Sequence, residues 1–120
     1  MKNARSILVG AVVFSATFLA NAPVWAHASL SQSEPKANAT LAEAPKQVEL
    51  QFTEPLEATF SGIQVMDAEG KPVTTDKASI DASAMHLALP VLKAGSYKVR
   101  WNAVTRDGHR VKGDYGFAVK

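Results

Sequence analysis

The chain has 120 residues, with 13 Lys and Arg against 11 Asp and Glu, three His and no Cys. Without cysteine there is no disulfide framework and no thiolate ligand, so stability must come from packing. Two of the basic residues, Lys2 and Arg5, fall in a leader expected to be removed; this leaves 11 basic and 11 acidic residues and takes away the net positive excess on which nucleic-acid binding rests.

Residues 1–26 read as a secretory signal peptide. Lys2 and Arg5 give the positive start, Ile7 to Ala20 the apolar stretch, and Val24-Trp25-Ala26 a small-residue end suited to cleavage. The apolar run is shorter than the ~20 residues a membrane-spanning helix needs, and Asn21-Ala22-Pro23 interrupts it. Export is therefore expected, with residues 27–120 forming one small domain that begins at His27.

Within that domain, Val48, Leu50 and Phe52 alternate with Glu49 and Gln51, the period of two expected of a strand with one buried face. Phe60 to Met66 is a second extended run, and Asp67-Ala68-Glu69-Gly70-Lys71 supplies its turn. Met85, Leu87 and Leu89 form a third run, with His86 on the opposite face. Tyr97, Val99 and Trp101 share one side of the clearest strand, and Tyr115, Phe117 and Val119 repeat the pattern in the last. Between these two, Thr105-Arg106-Asp107-Gly108-His109-Arg110 must be a loop. Leu41 to Ala44 forms a single helical turn at most. About seven short strands in a domain this small predict an all-β fold, an antiparallel Greek-key β-sandwich without the Cys-Trp-Cys mark of a true immunoglobulin domain. Lys36, Lys46, Lys71, Lys77, Asp76 and Asp81 look scattered, as on a solvated surface.

The chemistry concentrates on histidine. Cleavage after Ala26 frees the α-amine of His27, which with its own ring Nδ1 closes a six-membered chelate that no internal histidine can form. Asp107-Gly108-His109 sets a carboxylate and an imidazole two residues apart on a tight turn, where glycine permits a backbone course other residues resist. Three nitrogens and a carboxylate oxygen would suit copper(II), which prefers such donors in a tetragonal arrangement and stands at the top of the divalent affinity order. A blue-copper His-Cys centre is excluded by the absence of cysteine.

From His27 to Lys120 the chain resembles the CopC family of small exported bacterial copper-binding proteins with a cupredoxin-like or immunoglobulin-like β-sandwich. The resemblance rests on His27-Ala28-Ser29-Leu30 with Ser33 and Pro35, Pro45 to Phe52 with Glu54, Phe60-Ser61-Gly62, Gly95-Ser96-Tyr97-Lys98-Val99-Arg100-Trp101, and Asp107-Gly108-His109 with Gly113 and Phe117. It implies a copper(II) site built from the amine and ring of His27 and the ring of His109, with Asp107 as a further or axial ligand. Many members also carry a copper(I) site in a methionine-rich loop. Here the corresponding segment, 66–72, holds Met66 alone, so Met85 is expected in the core and His86 on the surface. Trp101 and Tyr97 are likewise expected in the core.

The leading expectation is a non-enzymatic periplasmic copper(II) carrier or buffer serving copper homeostasis or resistance, with an inner-membrane copper transport protein as its partner. The alternatives are a histidine-brace copper enzyme that activates oxygen and a metal-free structural module.

Overall fold

Alternation of apolar and polar residues gives each long strand one face that must leave water, and two sheets bury those faces against each other. The structure is a computed structural model and describes residues 29–120, so the leader and His27 lie outside the described residues. Its strands are β1 (Leu30–Glu34), β2 (Thr40–Leu41), β3 (Gln47–Phe52), β4 (Gly62–Met66), β5 (Ser79–Asp81), β6 (Ala84–Ala88), β7 (Gly95–Val104) and β8 (Arg110–Val119), with one 3-10 turn at Ala58–Phe60.

One sheet has the order β1-β3-β6-β5 and the other β2-β8-β7-β4, so the chain crosses repeatedly between layers. The expected all-β sandwich is present. Strands pair antiparallel throughout except β2, which runs parallel to β8. The β7–β8 hairpin is the longest pairing, running in unbroken register from Gly95 opposite Val119 to Val104 opposite Arg110.

Val48, Leu50, Val65, Met85, Leu87 and Val99 fill the space between the sheets and are essentially inaccessible. Each such side chain contributes about 1.5–3 kcal/mol by leaving water. Trp101 and Tyr97 join this core as expected: Trp101 meets Phe52 edge to face at 5.1 Å, and Tyr97 stacks on Phe117 at 5.4 Å. Gly113, opposite Trp101 in the ladder, makes room for the indole; a Cβ there would lie 2.5 Å from Trp101 Cζ2.

Two expected runs change extent, one shorter and one longer. Phe60 sits in the 3-10 turn and is 62% exposed, because its carbonyl is taken by the Asn102 side chain at 2.7 Å and the ladder begins only at Gly62. The last strand starts earlier than Tyr115, at Arg110, because the 105–109 turn closes tightly enough for pairing to resume at once.

Candidate metal centre

At one end of the sandwich the β7–β8 connection is held by a single buried polar side chain. Thr105, 1% exposed, donates its hydroxyl to Asp107 Oδ1 and accepts the backbone N–H of His109 at 3.0 Å. Its own backbone closes the turn from both sides, with Thr105 N–H bonded to the His109 carbonyl at 2.9 Å and Gly108 N–H to the Thr105 carbonyl at 2.9 Å. Gly108 has φ +90°, a conformation that L side chains rarely adopt, so the expected role of glycine in this turn is met.

Asp107 and His109 are brought together as the sequence predicts, with His109 Nδ1 3.0 Å from Asp107 Oδ2. The Thr105 hydroxyl holds the Asp107 carboxyl below the usual carboxylate range; desolvation, the next largest influence, opposes it, and the hydrogen bonds and charge of His109 each lower it further by less. Both carboxylate oxygens are engaged, yet each retains a second lone pair for a cation. Fixing Nδ1 against a carboxylate orients the ring, the arrangement that commonly prepares a histidine to ligate through its other nitrogen.

A third donor comes from the other sheet. Beyond β3 the chain runs beside the end of β7: Leu56 bridges Thr105, Glu57 N–H bonds the Val104 carbonyl at 2.7 Å, and Arg106 N–H bonds the Pro55 carbonyl at 3.2 Å. This places Glu54 so that its carboxylate and the ligand atoms of Asp107 and His109 all lie within 4.8 Å of one another. Sequence spacing did not assign Glu54 a role, since it stands far from Asp107 along the chain. Its signals are its place among the residues that carry the family resemblance and its position, just past the end of a strand and before Pro55.

The same end of the molecule receives the start of the described chain. Ser29 N–H bonds Thr53 Oγ1 at 3.0 Å, and Thr53 N–H bonds the Ser29 carbonyl at 3.0 Å, so Ser29 is tied to the residue before Glu54. By contrast, Met85 is fully buried and His86 lies on the opposite, outward side of β6, as expected. Oxygen and imidazole donors gathered in this way fit a borderline divalent ion that accepts nitrogen and oxygen, and supply none of the thioethers that copper(I) selects.

Comparison with known proteins places these features in a family. The CopC domain family matches residues 30–120. Protein YobA of Escherichia coli (strain K12) is 36% identical over 121 residues, covering 98% of this chain and 97% of that protein. Copper resistance protein C of Xanthomonas campestris pv. juglandis is 36% identical over 125 residues, covering 97% of each. The crystal structure of CopC from Methylosinus trichosporium OB3b superposes with a TM-score of 0.74 at 34% identity, covering 78% of this chain and 94% of that one. The chain belongs to the CopC family.

Proposed function

We propose that this protein is an exported copper(II) carrier or buffer acting in copper resistance or homeostasis, with His27 as the first residue of its mature form. The observation that carries the reading is the convergence of Glu54, Asp107 and His109 beside the Ser29–Thr53 junction. A residue two positions before Ser29 lies within about 7 Å of it by chain length alone. Chain length would thus allow His27 to reach the cluster, where its amine and ring would join the His109 imidazole as three nitrogen donors. The carboxylates of Asp107 and Glu54 supply charge and weaker ligation. Relatives named for copper resistance support the choice of metal.

Binding rather than oxidation is the proposed activity, because two carboxylates beside the ring occupy space that oxygen would need on the ion. Cleavage after Ala26 would release the protein to the periplasm, where an inner-membrane copper transport protein is the proposed recipient.

The test is a copper(II) titration followed by electron paramagnetic resonance on protein beginning at His27, compared with protein extended by one N-terminal residue. Three coordinated nitrogens and a sharp loss of affinity on extension are expected. Equal affinity in the two forms would overturn the reading.

A further inference from the structure

Charges that look scattered along the sequence separate by sign once the strands are paired. On the outward side of the β2-β8-β7-β4 sheet stand Lys98, Arg100, Arg110 and Lys112, all exposed, with Asp114 as the one carboxylate on these strands' outward positions. The outward positions of the other sheet carry Glu34, Glu49 and Asp81 and no Lys or Arg. The ion pairs seen among the described residues, Lys71–Glu69 and His109–Asp107, engage none of the four cations. Because residues 27–120 hold equal numbers of acidic and basic side chains, the positive face is a segregation of charge and not a by-product of net charge.

At the margin of that face lies Phe60, 62% exposed, sharing a shallow concavity with Arg110 and Lys112. Gly116 faces Lys98 across the ladder and Ser96 and Ala118 lie beyond it, while Gln64, Asn102 and Asp114 stand among the other cations, Asp114 directly opposite Arg100. Successive outward residues on a strand are about 7 Å apart. The cations are therefore spread across the sheet and do not converge on one point. A flat, delocalised positive surface edged by an exposed aromatic ring matches the chemistry of an anionic bilayer interface, where headgroup charge attracts Lys and Arg and an aromatic ring settles at the boundary.

We infer that the outward face of the β2-β8-β7-β4 sheet docks on an anionic phospholipid bilayer, with Phe60 entering the interface. Contact is peripheral: among the described residues no helix is long and apolar enough to cross a membrane. The acidic sheet faces away from the lipid and fixes the orientation, and the turn at 105–109 lies at the edge of the docked face. Docking goes beyond copper binding and does not require it, so it is measured on copper-free protein and its failure leaves the metal site unaffected.

The experiment is co-sedimentation of the exported, processed protein with vesicles of phosphatidylglycerol and phosphatidylethanolamine, with pure phosphatidylcholine vesicles as reference. Binding to the anionic vesicles is expected at 50 mM salt and should fall at least about tenfold at 300 mM, as exposed charges are screened. Each basic residue near an anionic surface strengthens binding by about fivefold, so R100E/K112E, or the neutral R100Q/K112Q should the reversal fail to fold, lowers it by more than about tenfold. Phe60→Ser lowers binding several-fold at unchanged salt dependence, and Glu49→Lys on the opposite sheet leaves it within about twofold. Three results would overturn the inference: no binding by the unaltered protein at 50 mM salt; a gain from Glu49→Lys as large as the loss from R100E/K112E, which would reduce the effect to net charge; or binding to poly-L-glutamate without binding to vesicles, which would assign the face to an acidic polypeptide.

Discussion

The hydroxyl of Thr105 donates to the carboxylate of Asp107 while accepting the backbone N–H of His109, so one buried oxygen sets the position of both side chains in the turn. Removing that oxygen without changing shape is the direct test. Thr105→Val leaves an N–H and a carboxylate oxygen without their partner, and copper affinity should fall by about 10–100-fold, the usual cost of losing a group that orients a ligand. Thr105→Ser should restore most of it. A valine variant with unaltered copper(II) resonance parameters and affinity would show the hydroxyl to be dispensable.

The cluster geometry ranks the ligands. His109→Ala removes the imidazole and should weaken copper binding most among the described residues, with Asp107→Ala and Glu54→Gln intermediate. His86→Ala, on the outward face of β6 and outside the cluster, should leave affinity unchanged. Isothermal titration of the four variants checks the order, and an equal loss at His86 would contradict it. Because imidazole titrates near ~6.5 and a free α-amine near ~8, affinity should fall as pH drops through that range. The Asp107 carboxyl, held below its ordinary range, stays ionised throughout, so it releases no proton of its own across this profile.

Gly113 owes its identity to the indole across the ladder. Gly113→Ala would place a methyl group 2.5 Å from Trp101 Cζ2, and a ring packed against Phe52 has little room to retreat. Destabilisation of about 1–3 kcal/mol is expected in urea unfolding, with Trp101 fluorescence altered in the folded state.

The Tyr115 hydroxyl is buried, and burial, the largest influence on it, pushes its pKa up to about 12, with the Ser33 side chain, a loose polar neighbour, opposing and the Glu34 charge adding to the rise. The raised value means that the folded state holds this proton more tightly than the unfolded chain. Its stabilising effect is therefore present below the unfolded value near ~10 and is lost as pH climbs toward the folded one. Tyr115→Phe should stay close to the parent in thermal stability at neutral pH, since only a loose contact with Ser33 is lost. It should also decline less steeply between about pH 10 and about 12 in a melting series. A large loss of stability at neutral pH would show that the Ser33 contact is a full hydrogen bond.

Legibility from sequence followed burial. In β7 the side chains alternate between fully buried and exposed, and its period of two is plain in Tyr97, Val99 and Trp101. β1 is an edge strand of polar residues, Leu-Ser-Gln-Ser-Glu, and β5 has only three residues, so neither presents enough apolar contrast to register. The same division runs through the site. Asp107 and His109 are legible because a turn joins them locally. Glu54 is not, because its approach depends on the Leu56–Thr105 bridge and the Arg106–Pro55 bond between distant segments. Thr105 reads in sequence as the first residue of a polar loop, and only its burial reveals it as the support of the turn.

The pairing of Ser29 with Thr53 brings the beginning of the domain to a turn that lies close to its end. An ion gripped jointly there would close a chain loop of about eighty residues, and in the loop-entropy picture such a closure restricts the unfolded ensemble by roughly 4 kcal/mol. A protein that has no cysteine would thereby acquire a reversible cross-link, fastened when metal is plentiful and undone when it is surrendered.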